Sequence, residues 1–395
     1  MNDRIRFLFL NFGHGADHLF MLLFPTVVLA LESEWNRPYS ELLPLSVGGF
    51  IAFGAGAVPA GWLGDRWSRK HMLTIFFIGI GAASVVTGFA QGPISLALGL
   101  TLIGLFASIY HPVGTAMVVQ GVTNVGKRLG INGVAGNLGV AAAALTAGFL
   151  IEAIHWRAAF IVPGIVSMVA GVAFALVPSP PAIEKSAAAA GTKTGKMSLG
   201  GLVPQLIFLI LLVTLLGGFI FNATLVALPK VFAVRLDTLA SSPLGVSGLV
   251  ALVYVVGALA QILVGHLLDR YPLRFVLAGV AGLQVPFLLL ASQVNEWALV
   301  LVAGAMMFTI FGAIPIQDTL VARSSSEEWR ARIYALKYLV SLGVSTLAVP
   351  MVSLVYGVTG EFVWLFALFA VLSLLIVGCS AFLPRTPAPT PAPAH

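Results

Sequence analysis

Charge is almost absent from this chain over lengths that leave few folds open. No Asp, Glu, Lys or Arg occurs in residues 42–64, 129–151, 158–183, 197–229, 238–268, 275–295, 297–317, 338–360 or 362–384, and the 56 residues 71–126 are equally free of them. An α-helix rises 1.5 Å per residue, so the hydrocarbon core of a bilayer takes about 20 apolar residues. Each shorter run is one span, and the 56-residue run is two, divided by Gln91-Gly92-Pro93. A first span, interrupted only by Asp17, precedes them. The expectation is an all-α membrane protein of twelve transmembrane helices, at 6–31, 40–64, 71–90, 94–120, 128–152, 157–177, 202–230, 243–267, 274–292, 297–321, 330–356 and 362–383.

Composition agrees. Of 395 residues 59% are hydrophobic and 9% charged, against roughly 25% charged in soluble domains. That balance excludes a soluble enzyme, a disordered chain and a nucleic-acid binder. The net charge of +6 is a topology signal: with the N-terminus placed inside, sixteen Lys and Arg fall on the inner side and four on the outer side. Loop cations face the cytoplasm, so both termini are expected there, in a bacterial-type inner membrane. Cys379, the single cysteine, has no partner for an intramolecular disulfide.

Sliding the chain by 204 positions superimposes Gly13 on Gly217, Pro25 on Pro229, Arg128 on Arg332, and Leu138-Gly139-Val140 on Leu342-Gly343-Val344. GWLGDRWSRK at 61–70 falls on GHLLDRYPLR at 265–274. One offset that recovers several motifs denotes a duplicated unit. The organisation expected is a six-helix half at 1–177, a cytoplasmic linker at 178–200, a second six-helix half at 201–383, and a disordered Pro/Ala tail at 384–395.

The segment Gly61-Trp62-Leu63-Gly64-Asp65-Arg66-Trp67-Ser68-Arg69-Lys70 resembles the signature loop Gly-x-Leu-x-Asp-Arg-x-Gly-Arg-Lys of major facilitator transporters, with Ser68 in place of the second glycine. The resemblance implies two six-helix halves with a binding site between them. For Asp65, Arg66 and Arg69, and for Asp269 and Arg270 in the repeat, it implies two readings: a topology anchor, or a gate latch that breaks as the halves rock. A narrower similarity, to fosmidomycin-resistance-type efflux proteins, rests on the Tyr-His-Pro at 110–112, the Gly-rich stretch at 130–148, and His14, Asp17 and Pro25 in the first span. Gly136-Asn137 stands near the place where the antiporter signature carries Gly-Pro.

A charge at the bilayer centre costs about 2.5–3.5 kcal/mol on insertion scales, so each needs a partner or a task. Asp17 lies about 16 Å into the first span, with His14 and His18 on the same helix face. Such a cluster can take a proton, bind a cation, or pair with itself; proton coupling is the expected role. His111 precedes Pro112, and is either a binding group or a cap for a carbonyl freed at the kink. Asn137, Asn222, Tyr254, Gln261, Gln317, Asp318, Tyr334, Lys337 and Tyr338 are the other candidates for substrate contact. Tyr334, Lys337, Tyr338, Ser341 and Ser345 form a polar stripe on an apolar helix, the pattern of a cavity wall. Lys337 is expected to face the cavity, the alternatives being to snorkel to the inner surface or to pair with Asp318.

The function expected is secondary active transport of a small anionic or zwitterionic organic solute by alternating access, coupled to protons and directed outward. Proton-coupled uptake is an alternative. Another is carriage of a metal ion or chelate by His14, Asp17, His18 and His111, although no resident metal or cofactor is assigned. The partners expected are solute, protons and lipid, with no nucleic acid and no obligate protein partner. No catalytic constellation stands out.

Overall fold

The structure, a computed structural model, describes residues 3–122, 124–177, 204–324 and 327–383. The linker at 178–200 and the tail at 384–395 lie outside the described residues. Twelve helices long and apolar enough to cross a membrane stand among those described. We number them α1 (Asp3–Glu34), α2 (Tyr39–Arg66), α3 (Arg69–Gly88), α4 (Pro93–Val118), α5 (Val125–Ala153) and α6 (Ala158–Leu176), then α7 (Pro204–Arg235), α8 (Pro243–Arg270), α9 (Leu273–Ala291), α10 (Glu296–Ser324), α11 (Glu327–Thr359) and α12 (Val363–Ala381). Each expected span overlaps one helix. Several helices run past the apolar window at one or both ends, because charged residues continue a helix into the headgroup layer at little cost.

Proline explains the irregularities. Helix α1 is interrupted at Leu23, just ahead of Pro25, and α2 opens through a short 3-10 turn at Leu43–Ser46 that contains Pro44. In α4, Tyr110–Gly114 is a π turn around Pro112, whose missing N–H cannot complete the α ladder. Ser68, at the site of the signature glycine, is the N-cap of α3: its Oγ accepts the His71 N–H at 3.3 Å.

Within the first half α1 packs on α5, α2 on α4 and α3 on α6; α7 with α11, α8 with α10 and α9 with α12 repeat that scheme six helices later. Small residues set these contacts, since apolar lipid leaves close packing to hold membrane helices together. A Cβ on Gly139 of α5 would stand 2.2 Å from the Gly15 carbonyl oxygen of α1, and one on Gly104 of α4 would stand 1.9 Å from that of Gly49 on α2. Backbone meets backbone there, so only glycine fits.

The halves meet through α5 with α8, α2 with α11, and α1 with α7. Among the described residues, every hydrogen bond and ion pair between the halves lies at the end of the bundle away from the chain termini. Lys230 Nζ binds both Glu32 oxygens, at 2.8 and 2.7 Å, and sits 5.5 Å from the ring centres of Tyr39 and Tyr356. Tyr39 donates to the Val226 carbonyl, the Leu244 N–H to Glu152, and Ser353 to the Ser40 carbonyl. On α5, Gly148 is pressed against Ser247 of α8, whereas Gly126, Gly130 and Gly133, and Gly265 of α8, face open space toward the termini. Fifteen residues, about 22 Å of helix, separate Gly133 from Gly148. Among the described residues, the hydrogen-bonded seam between the halves is thus at the far end.

The four basic residues at the far end are all engaged. Arg157 donates to the carbonyls of Gly88 and Ala90 and Arg235 to those of Ala291 and Ser292, closing the ends of α3 and α9. Arg37 pairs with Glu41, and Lys230 with Glu32.

Candidate functional site

The cluster expected on the first span gathers a second helix. His14, Asp17 and His18 share one face of α1, and the π turn of α4 brings His111 against them. Asp17 is fully buried, with Oδ2 3.3 Å from His111 Nε2. Among the described residues, neither carboxylate oxygen accepts a well-formed hydrogen bond. The ring centres of His14, His18 and His111 lie 5.0, 5.3 and 5.6 Å apart. One ligand nitrogen from each falls within 4.8 Å of the others. Phe53 of α2 closes one side, its ring 5.8 Å from that of His111.

The surroundings hold this group in place. His14 Nδ1 is 2.7 Å from the Asn132 carbonyl of α5, which makes Nδ1 the protonated nitrogen and leaves Nε2 with its lone pair. The ring lies on Gly136, where a Cβ would come within 2.7 Å of Nε2, and stacks on Tyr110 at 5.0 Å. Tyr110 donates to the Leu10 carbonyl at 2.6 Å, and the Asn132 amide donates to the Tyr110 hydroxyl at 2.9 Å and to Asn11 Oδ1 at 3.1 Å. Three helices are thus pinned around the histidines by satisfied polar groups, while the carboxylate in the middle is not satisfied. In a low-dielectric interior such a carboxylate must hold a proton, a cation or an imidazolium partner.

The His111 imidazole is turned to Asp17, and Thr115 Oγ1 donates to the His111 carbonyl. Tyr110 and Asn132 were not among the expected contact residues. A signal for the first existed in its adjacency to His111-Pro112. Asn137 is half-buried beside Gly136, and no hydrogen bond joins it to the cluster among the described residues.

The second half is built differently. Lys337 of α11 is 5% exposed and its Nζ bonds Asp318 Oδ1 of α10, which remains partly exposed. Gln317 lies over Gly217 of α7. Asn222, the repeat mate of His18, donates to its own helix at Gly218, 2.8 Å away. Tyr254 is buried and donates to the Leu225 carbonyl at 2.9 Å, tying α8 to α7. Gln261 is half-buried, and its amide nitrogen has no hydrogen-bond partner among the described residues. The side chains of Tyr334 and Tyr338 lie outside the described residues.

At the termini end, Asp65 and Arg69 pair at 2.8 Å across one turn with both side chains exposed, and Arg66 lies over the Trp62 ring at 5.0 Å. Asp269 and Arg270 are exposed. None of these five makes a hydrogen bond or ion pair with the opposite half among the described residues.

Comparisons with known proteins agree with this architecture. Two crystal structures of a bacterial homolog to the human lysosomal transporter Spinster, both inward-facing, superimpose with TM-scores of 0.71 (unoccupied) and 0.73 (occupied). They share 15% and 14% identity with this chain, cover 96% and 95% of it, and are themselves covered over 94% and 93% of their length. A puromycin resistance protein of Streptomyces alboniger is 30% identical over 131 residues, 32% of this chain and 26% of that protein. A probable actinorhodin transporter of Streptomyces coelicolor is 30% identical over 139 residues, 34% of this chain and 24% of its own. A cis,cis-muconate transport protein of Acinetobacter baylyi is 26% identical over 170 residues, 42% of this chain and 40% of its own. The chain thus matches about a quarter of the length of the first two relatives and two fifths of the third. The family model of the Major Facilitator Superfamily matches residues 10–256 and 231–395, nearly the whole sequence, and the chain belongs to that superfamily.

Proposed function

We propose that this protein is a secondary active transporter that exports a small anionic or zwitterionic organic solute across a bacterial inner membrane, with both termini in the cytoplasm. Protons entering and leaving the Asp17 cluster drive it. The observation that carries the reading is Asp17 itself: a fully buried carboxylate without a well-formed hydrogen bond, 3.3 Å from an imidazole. Burying a bare carboxylate is costly, so its proton occupancy changes with the water around it, and alternating access changes that water. His14, His18 and His111 set three imidazoles, groups able to accept and release a proton, around that carboxylate.

Lys337 with Asp318 offers the opposite polarity in the second half, which suits an acidic or zwitterionic solute. Relatives named for puromycin resistance and for probable transport of actinorhodin and 4-methylmuconolactone, and for transport of cis,cis-muconate, support an organic solute, and uptake is the second reading. Asp65, Arg66, Arg69, Asp269 and Arg270 would meet across the termini end when the halves close there.

One proton crossing about 100 mV releases about 2.3 kcal/mol, enough for a solute gradient of about 50-fold at 1.4 kcal/mol per decade. Asp17→Asn in liposomes should abolish pH-driven accumulation, bringing that gradient to unity, while downhill exchange persists. Uphill transport by the variant would move the coupling role elsewhere. The sidedness of active vesicles distinguishes export from uptake.

A further inference from the structure

We infer that His14, His18, His111 and Asp17 form a binding site for one divalent transition-metal ion of the borderline class, such as Zn2+ or Co2+. Two histidines four residues apart on one helix face present their rings side by side, the arrangement that grips zinc in helical sites. A third imidazole arrives from the π turn of α4, and one nitrogen from each of the three lies within 4.8 Å of the others. The separation of His111 Nε2 from Asp17 Oδ2, 3.3 Å, is close to the edge of about 3.4 Å between two ligands of a tetrahedral zinc ion with bonds near 2.0–2.1 Å. The three imidazoles alone already fall within 4.8 Å of one another, and Asp17, next to His111, completes the set as the side chains draw in around the ion. Three nitrogens and one carboxylate oxygen without a sulfur ligand suit Zn2+ or Co2+ rather than a hard cation such as Mg2+ or a soft one such as Cu(I).

Two further features point to a ligand. The Asp17 carboxylate is fully buried, yet neither oxygen has a well-formed hydrogen bond. His14 is oriented as zinc-binding histidines are: Nδ1 gives its proton to the Asn132 carbonyl at 2.7 Å, so Nε2 carries a lone pair in a fixed ring. Because ligation requires deprotonated groups, metal uptake expels any protons held there. Ion and proton are then alternative occupants of the same atoms, and a bound ion stops coupling. This inference rests on the reading of the cluster as the coupling site only in that shared occupancy.

The test is a titration of purified, chelator-stripped protein with Co2+, followed by displacement with Zn2+. The expected result is about one equivalent bound, the visible absorption of a tetrahedral site, proton release in weak buffer, and affinity lower by at least about tenfold in His18→Gln and in His111→Gln. His71→Gln and His266→Gln, at exposed positions of α3 and α8, should bind as the parent does. Thermal melting of each variant shows whether it is folded. Absence of stoichiometric binding by the parent, or undiminished binding in folded His18→Gln and His111→Gln, overturns the metal site. Transport by Asp17→Asn in chelator-treated liposomes is a separate readout: a protein that binds no metal but loses uphill transport in that variant keeps the coupling role, and the reverse result keeps the metal site.

Discussion

At the scale of residues the two halves carry unlike chemistry. The first half holds a carboxylate among imidazoles, and the second a buried ammonium joined to the Asp318 carboxylate. An ammonium inside a membrane helix is expensive unless partnered, and at 5% exposure Lys337 has not taken the extended course to the headgroups. If it meets an acidic group of the solute, Lys337→Gln removes one charge-assisted hydrogen bond, worth about 1.5–3 kcal/mol. That should weaken equilibrium binding about ten- to hundredfold while expression and melting stay near the parent's. The solute is found first by thermal-shift screening, since binding to the folded state raises the melting temperature. Unchanged affinity for an anionic solute would assign Lys337 to packing alone. Part of this chemistry is legible in sequence. Asp17 and Lys337 stand out because they interrupt apolar runs, and helical spacing puts His14 and His18 beside Asp17. His111 lies 94 positions beyond Asp17, and its approach depends on how α4 packs and on a π turn that periodicity does not encode. Tyr254 and Asn222, read from the sequence as cavity contacts, each donate one hydrogen bond to a nearby backbone carbonyl, a partner that the sequence pattern does not reveal.

At the scale of elements, the geometry of the site depends on how closely α5 approaches α1. Gly139 lets the two backbones touch, and Gly136 leaves the space in which the His14 ring lies. A Cβ at residue 139 would meet the Gly15 carbonyl, which cannot rotate aside, so the helices would have to separate. Gly139→Ala should therefore destabilise the protein by about 1–3 kcal/mol, the usual cost of overpacking. Gly130→Ala, on the same helix but with nothing within reach of its Cβ, should change stability by no more than about 1 kcal/mol. Melting of both variants in one detergent checks the contrast, and equal melting temperatures would mean that α1 and α5 are not held at backbone contact. The sequence shows the glycines of α5 as a cluster suited to helix packing, without separating those that pack on α1 from those that face open space. That distinction arises from the course of the neighbouring helices and not from local pattern.

At the scale of the whole molecule, the duplicated pattern reads directly from the sequence, because a single offset of 204 recovers motifs from both halves and the same helix pairings recur in the structure. The seal at the far end has no such signature. Glu32 and Lys230 each look like an ordinary charge at the mouth of a span, and only the meeting of the halves makes them a pair caged by Tyr39 and Tyr356. If transport alternates access, this end must open once in every cycle, so a covalent tie across it should stop turnover. Ser40 of α2 and Gly357 of α11 are suitably placed: a Cβ on Gly357 would stand 2.9 Å from the Ser40 Cβ, and a relaxation of about 1 Å reaches the spacing of about 3.8 Å common in disulfides. In a Cys379→Ser background, which removes the native thiol, Ser40→Cys with Gly357→Cys should transport when reduced, lose at least about nine tenths of its turnover when oxidised, and recover on reduction. Each single cysteine variant should be indifferent to oxidant. Fully cross-linked protein that still turns over would show that the far end does not open during transport, and alternating access between these halves would have to be abandoned.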